Sequence, residues 1–422
     1  MLTELSFLGA CNQVGSSGIL VDTRTEKILM DYGLKLQDKP IQYPEEVDIR
    51  LNSVLLTHAH LDHSGAIPYL FHQGQKCPVI GQEISRPLSK MLWLDSIKIA
   101  KMEGEKCKFN NNDVKMAVKK YQAVSYRKPF KIGRVAATGY DAGHIPGSSM
   151  FLLEINGKKI LYTGDFNTED TRLIAGCDWN IPEPDVLITE STYGGKEHPD
   201  REQEERKFIQ LVKDTLANDG VMIVSSFAIA RSQEALLILD SYGIKSPVYI
   251  DGMTQKATEI ISNYPHLQKE YNSVNNAITR MGVKFVEHPA QRKKIIKNPC
   301  VVVTTSGMLS GGAVVYYLKK LHGREDCSLA LTGFQVPDTE GDRLLKTGRY
   351  VHDDVDVRVD MNVEKFDFSA HASDTDLVNF IGKVNAKKVF CIHGDNTKGF
   401  AEELRSHGID AEAPSRGDNY RV

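Results

Sequence analysis

Hydrophobic and polar positions alternate over short stretches in the first part of the chain. LTELSFLGA (2–10), GSSGILVDT (15–23) and KILMDYG (27–33) read as strands punctuated by glycine. VDIRLNSVLLTHAH (47–60) reads as a strand that runs into a histidine cluster. Residues 83–103 carry apolar positions at helical spacing, and KIGRVAATGYDAGH (131–144), SMFLLEINGKKILYTGD (149–165) and PDVLITEST (184–192) are strands again.

Near residue 200 the pattern changes. HPDREQEERKFIQLVKDTL (198–216) is an amphipathic helix with acidic residues in its first turn. Four stretches that each pass from an apolar strand into a helix follow, starting at Gly220, Ser246, Cys300 and Cys327. Repeated strand–helix units predict a parallel sheet flanked by helices. Alternation returns in HDDVDVRVDMNVEKFDFSAHAS (352–373), and KKVFCIHGD (387–395) is a strand ending in a histidine. The expected organisation is an α/β domain, 198–352, inserted into a sandwich-type host made of 1–197 and 353–422.

Composition narrows the function classes. The 422 residues exceed one ordinary core, and 41% hydrophobic with 25% charged residues is a globular balance. A net charge of -3 excludes a whole-molecule basic field, so contact with nucleic acid would use a local patch. The basic run QRKKIIK (291–297) reads as a solvated surface before it reads as an RNA track. The seven cysteines are scattered singly with no CxxC, which fits a reducing cytoplasm and no disulfide framework. No window has the 18 apolar residues of a membrane span, and no export signal is expected.

The chemistry concentrates in LLTHAHLDHSG (55–65), where His58, His60, Asp62 and His63 crowd together. A strand alternates faces, so His58 and His60, two apart, are expected to project the same way, and Asp62 and His63 follow at a turn into a helix. Neutral imidazoles and carboxylates suit zinc and similar ions, and a cation removes the mutual repulsion of protonated rings. Four ligands do not close two metal shells. His144 in GHIPGS, Asp165 in YTGD and His393 in IHGD each follow an apolar strand beside a glycine, and each alone would serve equally well in a turn.

THAHLDHSG, GHIPGS and YTGD resemble the metallo-β-lactamase superfamily, and TESTYG, FSAHAS and IHGD with the insertion before them look like the β-CASP nucleases. The branch they resemble is that of the archaeal and bacterial relatives of the cleavage-and-polyadenylation-specificity-factor endonuclease. The resemblance implies an αββα sandwich with an inserted β-CASP domain and two zinc ions per chain. His58, His60 and His144 would hold one, Asp62, His63 and His393 the other, with Asp165 bridging. Asp31 in LMDYG would orient ligands, and Glu190 and His371 would form an acid/base pair with His371 as proton donor. The implied activity is hydrolysis of RNA to 5′-phosphate and 3′-hydroxyl ends, in 3′-end processing or decay. Both endonucleolytic and 5′-to-3′ exonucleolytic action run on this scaffold.

Single-stranded RNA is the expected partner, with a homodimer or related β-CASP and RNA-decay subunits as further ones. RNA contacts are expected where strands of the inserted sheet end: Ser226, Phe227 and Arg231, then Ser306, Gly307 and Met308 at a helix start, then Arg343. Glycines also serve turns, a lone Phe also serves a core, and Arg231 also serves packing. Two positions depart from the resemblance: Ala230 stands where a glycine precedes the arginine, and Asp342 where an arginine follows the glycine, with Arg343 as partial compensation. A thioesterase- or lactonase-like metallohydrolase would share the HxHxDH cluster but not the long insertion or the Glu190/His371 pair. An RNA-binding subunit without metal would not need all seven ligands.

Overall fold

In Glu4–Phe7, Leu5 and Phe7 are buried while Glu4 and Ser6 keep some solvent contact, as period-2 alternation requires of a strand with one covered face. The computed structural model describes residues 3–36, 38, 40–353 and 355–422; Leu2 and Asp354, which fall within expected strand stretches, lie outside the described residues. The chain divides into two units, one of residues up to Asp170 with Gly176–Glu197 and Ala370–Val422, the other of Thr171–Ala175 and His198–Ser369.

The first unit holds two seven-stranded sheets. One runs in the order Asn419–Arg421, Glu4–Phe7, Ile19–Asp22, Lys27–Met30, Ser53–Leu55, Val79–Gly81 and Tyr121–Ala123. The other runs Ala411–Glu412, Lys388–Ile392, Val186–Glu190, Lys158–Tyr162, Ser149–Ile155, Val135–Asp141 and Phe130–Ile132. Leu5, Phe7, Val21, Ile28 and Met30 from one sheet share a core with Phe151, Leu153, Ile160, Ile188 and Phe390 from the other. Leu187, one residue from Ile188, points to the opposite face and packs with helices Asp374–Val384 and Thr397–Ser406. Helices Ser85–Glu103 and Asn111–Lys119 cover the outer face of the first sheet through Trp93, Val114 and Ala117. This is an αββα sandwich.

The second unit is a six-stranded sheet, Lys284–Phe285, Val248–Asp251, Cys300–Thr304, Val221–Ser225, Ser328–Leu331 and Asn362–Lys365, with every pairing parallel. Strands Val221–Ser225, Cys300–Thr304 and Ser328–Leu331 are buried throughout because helices cover both faces of the sheet there. Met222 and Val224 face Phe208 and Leu236, and Val221 and Ile223 face Val314 and Leu318.

Two boundaries differ from the sequence reading. Alternation after 352 does not return the chain to the sandwich: Asn362–Lys365 pairs with Ser328–Leu331, and Phe366 and Phe368 enter the second unit's core. Periodicity reports that a strand has two faces and not which sheet it joins. The short segment Thr171–Ala175 also goes with the second unit, because the amides of Arg172 and Leu173 donate to the buried Glu234 carboxylate at 2.9 and 2.8 Å. No helix among the described residues is long and apolar enough to cross a membrane.

Candidate metal centre

The strand leading into the histidine cluster is only Ser53–Leu55, and His58 and His60 lie beyond it in a loop that enters the short helix Leu61–Ser64. Strand alternation therefore does not aim these two rings. The loop does so through a buried carboxylate. Asp31 accepts from the Thr57 amide at 2.8 Å and the Thr57 hydroxyl at 2.7 Å, and Tyr162 donates to it at 2.9 Å. His63 Nδ1 lies 2.7 Å from the same carboxylate. Asp31 thus holds the loop and contacts His63, and its oxygens face hydrogen-bond donors. The sequence reading missed Thr57 and Tyr162. Their signal was adjacency: Thr57 precedes His58, and Tyr162 precedes TGD.

Seven side chains converge. His60 Nδ1 lies 3.1 Å from His58 Nε2 and 3.2 Å from His144 Nε2. Asp165 Oδ2 stands 3.7 and 3.8 Å from the Nε2 atoms of His58 and His144. Its other oxygen, Oδ1, is 3.2 Å from His63 Nε2 and 3.0 Å from His393 Nδ1. His393 Nε2 is 3.5 Å from Asp62 Oδ2. One carboxylate therefore faces two donor groups with different oxygens. Donors about 2.0–2.1 Å from a tetrahedral zinc ion sit about 3.3 Å from one another, and these separations cluster around that value. His63 Nε2, His393 Nε2 and Asp165 Oδ1 are buried without a hydrogen-bond partner despite these short distances. Such close separations at 0–2% exposure, with the hydrogen-bond geometry of these three atoms unmet, fit a shared cation.

The electrostatics agree. Burial and the neighbouring His63 hold the His58 imidazole well below its ordinary range. Burial also pushes His393 down, but Asp165 and Asp62 outweigh it and raise it to about 10. His63 is raised in the same way, burial opposing and Asp165 and Asp31 prevailing. Burial pushes the Asp62 carboxyl up, and His393 and His63 outweigh it and hold it well below its usual range.

Glu190 ends the strand Val186–Glu190 and is buried; it accepts from the Phe166 amide at 2.7 Å and lies 3.0 Å from His371 Nδ1 through either oxygen. Burial lowers His371, but the Glu190 charge overrides it and raises the imidazole above its ordinary range. His144 Nδ1 is 2.7 Å from the Ala370 carbonyl, which leaves Nε2 for the cluster. The His371 and His144 rings lie 4.6 Å apart, and His371, His144 and Asp165 also have donor atoms within 4.8 Å of one another.

The expected RNA contacts are different. Ser226 is buried with its hydroxyl 2.5 Å from that of Thr332. The helix after TTSGMLSGG begins at Val314, so Ser306, Gly307 and Met308 precede it in a loop rather than forming its N-terminus, and the Ser306 hydroxyl donates to the Gly311 carbonyl at 3.3 Å. The Met308 carbonyl accepts from the Gly341 amide at 3.0 Å. Phe227 is half-buried, with ring atoms 2.9 Å from where a Cβ on Gly333 would stand. Arg231 is buried as the first residue of helix Arg231–Ser241. The Arg343 guanidinium donates to the Asp338 carbonyl at 2.8 and 3.1 Å.

The two departures also find their place. Ala230 has φ 66° and ψ -51°, and the Arg231 amide donates to the Ile229 carbonyl at 2.9 Å, a tight γ-turn at a backbone angle that favours glycine. Asp342 accepts from the Asp338 amide at 2.9 Å and from Lys346 at 2.7 Å, which braces the first turn of helix Glu340–Thr347.

Comparison with known proteins assigns the segments. Residues 19–190 match the metallo-beta-lactamase superfamily domain, 232–344 the Beta-Casp domain, and 356–414 the Zn-dependent metallo-hydrolase RNA specificity domain. The chain is 40% identical to the probable RNase MJ4 of Methanocaldococcus jannaschii, covering 99% of this chain and 100% of that one. It is 31% identical to RNase aCSPSF2 of Saccharolobus solfataricus, over 98% of this chain and 84% of that one. It is 32% identical to the transcription termination factor FttA of Methanothermobacter thermautotrophicus, over 99% of this chain and 72% of that one.

Proposed function

The chain belongs to the metallo-β-lactamase superfamily and to its Beta-Casp ribonucleases, and from that premise we propose that it is a zinc-dependent hydrolase of single-stranded RNA that leaves 5′-phosphate and 3′-hydroxyl ends, acting in RNA 3′-end processing or decay. The observation that carries this reading is the single carboxylate, Asp165, facing two donor groups with its two oxygens. His58, His60 and His144 would hold one zinc ion, Asp62, His63 and His393 the other, and Asp165 both. Bound there, two zinc ions supply Lewis acidity and a water of lowered pKa to phosphodiester hydrolysis.

The remaining chemistry is the chain's own. Asp31 keeps His63 turned toward the cluster with Nδ1 engaged, so Nε2 is left for the ion. Glu190, locked by the Phe166 amide, holds His371 at Nδ1 and favours its protonated form. The Nε2–H of that imidazolium is the proton given to the leaving 3′ oxygen, and Glu190 stabilises the charge beforehand. A small-molecule hydrolase would have no use for a Beta-Casp domain or for this pair. An RNA-binding subunit would not need the full ligand set.

The proposal extends to cytoplasmic action and to a homodimer or association with related β-CASP and RNA-decay subunits, the latter read by light scattering with and without RNA. The deciding experiment incubates the zinc-loaded protein with 5′-labelled and internally labelled RNA and follows products over time. Internal fragments mark endonucleolytic cuts, and mononucleotides from the 5′ end mark exonucleolytic ones. No cleavage of either RNA, with zinc bound, would overturn the reading.

A further inference from the structure

Because every strand of the second unit's sheet is parallel, their carboxyl ends lie in register along one edge: Asp251, Thr304, Ser225, Leu331 and Lys365 are successive neighbours. Ligands of open parallel sheets sit at such an edge. The turn leaving Leu331 is Thr332-Gly333-Phe334. The sequence nominated Phe227 as a stacking residue, but its ring is the bed of this turn: a Cβ on Gly333 would meet Phe227 Cε2 at 2.9 Å. Phe334, the next residue, is 42% exposed, whereas the aromatics that build this unit's core, Phe208, Phe366 and Phe368, are at 1% or less.

The turn that carries the exposed ring is tied down. Gln335 Nε2 donates to the Gly307 carbonyl at 2.9 Å and to the Gly333 carbonyl at 3.1 Å, tying the turn to the neighbouring loop. Lys365, in register with Leu331 on the next strand, places Nζ 5.6 Å from the Phe334 ring centroid. A partly exposed ring with an ammonium over it offers a base-stacking surface and a phosphate contact together, the ammonium swinging from the ring to the phosphate as the base stacks. With a net charge of -3 the chain has no general field to draw RNA in, so local elements of this kind have to supply the contact.

We propose that Phe334 and Lys365 form a subsite for single-stranded RNA, Phe334 stacking one base and Lys365 contacting an adjacent phosphate. The inference rests on the ribonuclease reading above and adds a substrate contact to it. The test compares RNA cleavage with hydrolysis of bis(p-nitrophenyl) phosphate, which has no base to stack. Phe334→Ala is expected to raise KM for RNA by about 5- to 100-fold and to leave the nitrophenyl reaction unchanged. Phe334→Tyr and Phe334→Trp should restore KM, and Phe334→Leu, which keeps apolar bulk without a ring, should not. Lys365→Gln should weaken RNA binding and reduce the salt dependence of log affinity by about 0.7, one single-strand phosphate contact.

Wild-type cleavage of RNA with unchanged KM in Phe334→Ala, or full rescue by Leu, overturns the subsite alone. A wild-type chain that hydrolyses the nitrophenyl ester but no RNA overturns the ribonuclease reading instead. If Phe334→Ala loses both activities, 2-aminopurine scanned along an RNA bound to the wild-type protein decides. Quenching at one position supports the stack, and no quenching at any position overturns it.

Discussion

The histidine cluster of the first unit and the strand-end edge of the second were both legible as polar residues following apolar strands, yet they were built differently. In the cluster, polar atoms crowd at close ion-pair separations while the hydrogen-bond geometry of His63 Nε2, His393 Nε2 and Asp165 Oδ1 stays unmet. At the edge, the nominated polar atoms are already used, Ser226 by Thr332, Ser306 by Gly311 and Arg343 by Asp338. Metal ligation demands specific atoms in a narrow geometry, so residue type and spacing announce it. RNA contact demands exposed faces and unspent charge, and a linear sequence does not report exposure.

The largest expected effect breaks the cluster itself. His60→Ala and His393→Ala should each abolish RNA cleavage while the fold and RNA binding persist, since each removes a ligand from a different donor group. Metal analysis beside a cleavage assay checks this, and normal turnover in either variant would remove the assignment. His371→Ala should keep both metals and lose about 10²–10⁴-fold in rate on RNA. The loss should shrink on a nitrophenyl phosphodiester, whose leaving oxygen needs no proton. Loss of a zinc ion, or equal losses on both substrates, would instead make His371 a ligand, a role its proximity to His144 and Asp165 permits.

Asp31→Asn tests whether orientation matters as much as ligation: zinc affinity should fall about 10- to 100-fold by chelator competition, because an amide NH2 would face the Thr57 donors. The pH dependence follows from the raised proton affinity of two rings of the cluster. His393 is raised to about 10 and His63 is raised above its ordinary range. Both shifts favour the protonated rings in the absence of metal, and ligation needs them neutral. Zinc binding must therefore release protons, and affinity must fall as pH falls. Calorimetry in buffers of differing ionisation enthalpy would show release; no buffer dependence at pH 7 would contradict it.

The smallest effects concern the edge. Arg343→Ala should change RNA affinity by less than about twofold, since its guanidinium serves the Asp338 carbonyl; a tenfold loss by fluorescence anisotropy would restore it as a phosphate contact. Ala230→Gly should raise stability by about 1 kcal/mol by relieving its positive φ, read as a higher melting temperature; no rise would mean the γ-turn is not strained.

By itself the sequence determined which His and Asp residues follow apolar stretches and the strand–helix grammar of the insertion. Each is a local matter of chemistry or periodicity. His144, Asp165, His371 and His393 lie far apart along the chain, and only the folded sandwich brings their atoms to within a few ångströms of His58, His60 and Glu190. The tertiary structure also decided that Asn362–Lys365 joins the inserted sheet, that the loop after Leu55 and not strand alternation aims the histidines, and that Phe227 supports a turn while Phe334 faces solvent. Sheet membership, loop trajectory and exposure depend on residues distant in sequence, and alternation or motif spacing carries no record of them.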